Sequence, residues 1–174
     1  MEEKQVTRLE PHFKYVDTGQ YLTAICQILK DGKTAVIPVS GGSMMPFLVS
    51  DRDFVMLSDI GDGIRKGDIA LYQRRNGQFI LHRVCKIKKK KLYYMIGDAQ
   101  NVIEGPIIEE QIRAKVVKIM RNGIWISKTC FWWWFFEVIW IRLIPVRKYI
   151  WRGYQLWKTI WRRLERKNEN EGRI

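Results

Sequence analysis

Short apolar runs separated by turn residues constrain this chain more than anything else in it. They fall at Ala35–Val39, Phe54–Leu57, Ile69–Tyr72, Phe79–Ile87, Leu92–Ile96 and Ala114–Met120, with Gly, Asp, Asn and Lys between them. Runs of this length suit strands and are too brief for packed helices, and the residues between them supply turns. Asn76-Gly77, between the third and fourth runs, is a hairpin turn by its chemistry, since both residues tolerate φ > 0. A second hairpin is expected at Lys88–Lys91, where lysines make a soluble tip. The pattern predicts a mainly β domain over 34–128, built as a small, coiled, antiparallel β-barrel or sandwich. Residues 1–33 hold one expected helix, from Thr18 to Lys30. Thr18 caps it, Leu22, Ile25 and Leu29 share a face, and Asp31-Gly32 ends it. Residues 129–174 form a third, aromatic and basic segment, expected to be amphipathic helices.

Three side-chain types that make up an activated nucleophile occur in order within the β-rich region. Ser43 lies in Gly41-Gly42-Ser43-Met44-Met45-Pro46, His82 in Leu81-His82-Arg83-Val84, and Asp98 and Glu104 come after both. A Ser hydroxyl attacks weakly at neutral pH; a His removes its proton, and a carboxylate holds the imidazole in the right tautomer. The Gly-Gly turn lets the backbone approach a substrate without Cβ clashes. Read singly, the same residues are an ordinary turn, a structural strand histidine and turn carboxylates capping backbone N–H groups.

Four local sequences raise the catalytic reading. Gly42-Ser43-Met44-Met45-Pro46, Lys66-Gly67-Asp68-Ile69-Ala70-Leu71-Tyr72, Leu81-His82-Arg83-Val84 and Ile96-Gly97-Asp98-Ala99-Gln100-Asn101 occur in that order across residues 35–120. In this order and spacing the chain resembles the signal peptidase I family. The resemblance is to its Ser-His branch, which includes the endoplasmic-reticulum, archaeal and SipW-like bacterial enzymes, within the signal peptidase/LexA-like superfamily. The resemblance implies Ser43 as nucleophile, His82 as general base and an acid as third member. Glu104 stands where the branch usually carries its orienting Asp, and Asp98 matches the Asp of the "GD" pair, so both are candidates. It also implies the superfamily's coiled β fold and an oxyanion hole. Gly41 stands where bacterial enzymes place an oxyanion-binding Ser, which leaves backbone N–H groups near Gly42 and Ser43 for that role. The family's N-terminal membrane anchor has no counterpart in residues 1–16, which lack an apolar core.

The formal net charge of +13 points to an acidic partner. Cys26, Cys85 and Cys130 are scattered and odd in number, and His12 and His82 are the only histidines. This argues against a disulfide framework or a metal centre. The expected chemistry uses neither metal nor organic cofactor.

Seven of the eight Trp residues lie between Trp132 and Trp161. The stretch holding Trp132, Trp133, Trp134 and Trp140 is interrupted by Glu137 and Arg142 and is short of the roughly 20 apolar residues a span requires. Beyond it, Ile150, Tyr154, Trp157, Trp161 and Leu164 repeat at three and four residues, with Trp151 alongside and Arg152, Lys158, Arg162 and Arg163 on other faces. An aromatic stripe with a basic surround is expected to lie on an anionic membrane; packing on the β domain or on a partner chain is the alternative. With no export signal, the expected place is the cytoplasmic face of a plasma membrane.

These readings converge on a membrane-associated serine endopeptidase that cleaves signal or leader peptides from precursor proteins. A catalytically inactive, membrane-docked binding module on the same fold is the alternative. A LexA-type regulator needs a helix-turn-helix and a Lys at position 82, and residues 1–33 have room for one helix. Nucleic acid is disfavoured as partner, because the basic groups cluster with the tail tryptophans.

Overall fold

In the computed structural model, the residues described are 18–61, 63–89, 91–150, 152, 153 and 159. The first element, α1, spans Thr18–Lys30 and buries Leu22, Cys26 and Leu29. Ile25 packs partly against the same core. Gly32, at φ 75°, ends the helix, its N–H returning to the Leu29 carbonyl at 3.0 Å.

Eight strands come next: β1 Ala35–Pro38, β2 Asp53–Ser58, β3 Ile69–Gln73, β4 Phe79–Lys88, β5 Leu92–Ile96, β6 Glu104–Ile107, β7 Ile112–Arg121 and β8 Ile124–Ile126. They form one antiparallel sheet in the order β1-β2-β7-β3-β4-β5-β6, with β8 paired to β7. The Asn76-Gly77 turn joins β3 to β4 as expected, with Gly77 at φ 87° and the Arg74 N–H donating to the Gln78 carbonyl at 2.8 Å. Six strands fall on the apolar runs. β6 and β8 have no matching run, being short and carrying Glu104-Gly105-Pro106 and an exposed Ile124-Trp125.

Of the expected barrel or sandwich, the mainly antiparallel β architecture is present, but the sheet is not closed into a barrel, since β1 and β6 end the strand path and do not pair with each other. Both edges are short, and each contains a proline, Pro38 and Pro106, which offers no N–H to a further strand. The sheet nevertheless curls strongly. β3 and β6 are three strand spacings apart along the path, about 14 Å if flat. Yet the Tyr72 hydroxyl on β3 reaches Glu104 on β6 at 2.8 Å. Register shifts in the β2–β7, β3–β7, β4–β5 and β5–β6 pairs supply the bending.

β3 is buried on both faces. Ile69 and Leu71 join a core with α1, β1, β2 and β7. Ala70 and Tyr72 join a second core with Val84, Tyr93, Met95 and Ile107.

After β8, α2 covers Phe131–Trp134 and continues as a π-helical turn over Phe135–Trp140. Here two sequence expectations are corrected. Trp133 and Trp140 were expected at a membrane surface, but they are 1% and 7% exposed. Both, with Phe136, pack into the first core against Phe47 and its neighbours. Their neighbours Phe131, Trp132 and Trp134 are exposed. Among the described residues, no helix is long and apolar enough to cross a membrane. Arg152 is helical and exposed, whereas Trp151, Trp157, Lys158, Trp161, Arg162 and Arg163 lie outside the described residues.

Candidate active site

The loop carrying Ser43 is held from its C-terminal side. Gly41 adopts φ 80°, a conformation that favours glycine. Gly41 and Gly42 are exposed, Ser43 is half-buried, and Met44 is buried. Met44, Phe47 and Leu48 anchor the loop in the first core, and a helical turn forms as the Leu48 N–H donates to the Met44 carbonyl at 2.9 Å. The Met45–Pro46 bond is cis. The far end is fixed by Asp53, 1% exposed, which accepts from Arg52, Arg121 and the Val49 N–H. Burial acts to raise the Asp53 pKa, and the hydrogen bonds from Arg52 and Arg121 outweigh it and hold the pKa at about 2.

Ser43 and His82 line one cleft of about 250 Å³ together with Arg74, Leu81 and Gln100. His82 is placed there by the β3–β4 hairpin, in which it sits opposite Ala70. It is 3% exposed. Burial pushes its pKa down to about 4, against a partial offset from Glu104. The imidazole is therefore neutral at neutral pH, the form that accepts a proton. Among the described residues, Ser43 Oγ is not hydrogen-bonded to His82.

The nearest polar partner of His82 is Tyr72, which ends one of the four local sequences but was given no role in the expected site. Tyr72 Oη lies 3.4 Å from His82 Nδ1 and donates to Glu104 Oε2 at 2.8 Å. Glu104 is clamped from its other side by Arg74, through Nε at 2.6 Å and an Nη at 2.5 Å. The Arg74 guanidinium, with a smaller part from the Tyr72 hydroxyl, holds the Glu104 carboxylate below the usual range despite burial. Burial and the neighbouring Glu104 push the Tyr72 phenol up, so it stays protonated. Glu104 thus reaches His82 through Tyr72.

Asp98 does something different. It is fully buried and forms a two-point ion pair with Arg83, Nε to Oδ1 at 3.0 Å and Nη2 to Oδ2 at 2.7 Å. A third Arg83 bond goes to the Gly67 carbonyl at 2.9 Å, and the guanidinium sits 4.9 Å above the Phe47 ring. The Ser43 carbonyl in turn accepts from the Ala99 N–H at 2.9 Å. At Gly97 a Cβ would stand 2.4 Å from that carbonyl, so only glycine allows the approach. The four local sequences that carry the resemblance therefore meet in one network, with Arg83 at its centre and Asp98 as its counter-charge.

Arg74 of the cleft and Tyr72 behind it carried a usable signal. Ala70 and Tyr72 share one face of β3, Arg74 continues that face just past its end, and register counted from the Asn76-Gly77 turn sets Ala70 opposite His82. Gln100 had no such signal, since it enters the cleft from the loop after β5. Among the described residues, no cluster of three His, Cys, Asp or Glu side chains is arranged to hold a metal ion. No protein-family model matches the chain, and no curated protein matches it.

Proposed function

We propose that the protein is a membrane-associated serine endopeptidase of the signal peptidase I type, acting on the signal or leader segments of precursor proteins. The observation that carries this reading is the shared cleft in which Ser43 stands beside a buried, neutral His82. The Tyr72 proton is committed to Glu104, so Nδ1 of His82 acts as donor toward the Tyr72 oxygen and Nε2 is left as the basic nitrogen. Nε2 takes the Ser43 proton as Oγ attacks the scissile carbonyl. It then returns the proton to the leaving amine. Backbone N–H groups near Gly42 and Ser43 meet the oxyanion. As His82 gains charge, the Tyr72 oxygen and the Glu104 carboxylate behind it stabilise the imidazolium.

Membrane association draws support from the exposed Phe131, Trp132 and Trp134 on α2 and from the net charge of +13. Rings of this kind favour the headgroup level, and an anionic surface attracts the basic groups. The remaining expected membrane residues belong to this proposal, and Trp133 and Trp140 do not.

Comparing the N-termini of host proteins in wild type and in a chromosomal Ser43→Ala strain tests the reading. Neo-N-termini that disappear in the variant identify substrates and the cleavage rule. An unchanged set, with the variant folded and expressed, removes the peptidase reading. It would favour a membrane-docked binding module, which one observation supports: among the described residues, no carboxylate hydrogen-bonds His82 directly.

A further inference from the structure

The C-terminal segment packs against the turns that hold the nucleophile. Trp140 Nε1 donates to the Asp98 carbonyl at 2.9 Å, and Arg147 donates to the Gly97 carbonyl at 3.2 Å. Arg147 is fully buried. Its remaining bonds go to the Trp140 carbonyl at 3.1 and 2.8 Å, and its guanidinium lies 4.9 Å from the Trp140 ring centroid. Burial lowers its pKa to about 10, so it remains charged at neutral pH. Nearby, Phe136 stacks on Phe47 of the nucleophile loop at 4.8 Å between centroids. Glu137 also crowds Gly67, where a Cβ would meet its Cγ at 2.4 Å.

We infer that Trp140 and Arg147 are positioning residues for Ser43. Their donors fix the carbonyls of Gly97 and Asp98, which fixes the Ala99 N–H that holds the Ser43 carbonyl. A buried guanidinium takes up such a post only where carbonyls and an aromatic face replace its hydration, and here two carbonyls and the Trp140 ring do so. The segment lies outside residues 35–120, where the sequence resemblance sits, so this chain supports its nucleophile from beyond that region. The consequence for catalysis rests on the peptidase reading of Ser43; the mechanical coupling does not.

The test is amide hydrogen exchange on full-length Trp140→Phe and Arg147→Lys variants, read in peptides covering 41–48 and 97–101. Trp140→Phe keeps a ring in the core and loses the indole donor. Arg147→Lys keeps the charge and loses the fork. Exchange in both peptides is expected to rise about two- to tenfold, the ratio for losing one hydrogen bond, while β2 and β7 keep wild-type rates. Unchanged exchange at 97–101, or an equal rise in β2 and β7, would overturn the inference. On a peptide carrying a mapped cleavage site, kcat is expected to fall by a similar factor at constant KM; a rise in KM alone would overturn the positioning role. If the wild type cuts nothing yet the exchange pattern appears, the coupling stands and the peptidase reading fails.

Discussion

Acidification from pH 7 to pH 5 acts on this fold mainly through His82. An unfolded chain takes up the imidazole proton near pH 6.5, whereas the folded chain does so at about 4, because the ring is buried. Its nearest polar neighbour is a phenol oxygen at 3.4 Å, and the closest carboxylate is already paired with Arg74 at 2.5 Å. Between the two values the unfolded state binds a proton that the folded state does not. Stability is therefore full above about pH 6.5, declines as pH falls toward 4, and loses nothing more from this group below that. The full window is worth about 3 kcal/mol, of which about 2 kcal/mol is lost by pH 5. Asp53, held at about 2, and Glu104, also lowered, contribute at more acid pH and leave this range to His82. Urea unfolding followed by tryptophan fluorescence at pH 7, 6 and 5 measures the effect, with His82→Gln as reference. The wild type should lose about 2 kcal/mol across the range, and the variant less than about 0.5 kcal/mol. Equal losses in the two proteins would refute the assignment of this pH dependence to a buried neutral imidazole.

Tyr72→Phe removes the hydroxyl between His82 and Glu104; kcat/KM on a mapped substrate should fall about ten- to hundredfold with KM nearly constant, the effect of one hydrogen bond to a charged group. Asp98→Asn leaves Arg83 and Arg147 buried without their counter-charge and should cost about 3–5 kcal/mol in denaturant unfolding, far more than Tyr72→Phe. Gly97→Ala drives a Cβ to 2.4 Å from the Ser43 carbonyl. It should destabilise by about 1–3 kcal/mol and lower kcat as the loop shifts, both readable from one purified variant.

The strands that sequence alone located are those with a buried side to pattern. β2, with its alternating Val55 and Leu57, and β3, apolar on both faces, announce themselves as strands. β6 does not, because Glu104, Gly105 and Pro106 give it no apolar stripe, and it forms only where β5 offers an edge. Barrel closure was equally illegible. It depends on whether two terminal strands pair, and that is settled by prolines and bulges whose effect accumulates around the whole sheet. The aromatic tail misled for a different reason. Phe131, Trp132, Trp133 and Trp134 are similar in composition but face different ways, and it is the distant core around Phe47 that Trp133 turns toward.

The candidate site divides along the same line. Ser43 and His82 were legible because each is set by local geometry, a glycine turn and a two-stranded hairpin. The acid was not, because its role depends on distance across the curled sheet. Asp98 lies closer to His82 in sequence than Glu104 does, but it is neutralised by the adjacent Arg83, whose side chain occupies the opposite face of β4 from His82. Glu104, on a strand two places from that of His82 and three from that of Tyr72, arrives near the histidine only because the bulges fold β6 back over β3, and Tyr72 then stands between them. A carboxylate one methylene longer than Asp still stops short of the imidazole, and the phenol bridges the remainder. In the proposed mechanism the acid behind His82 is therefore a Tyr72–Glu104 pair, whose two halves come from strands that no local pattern connects.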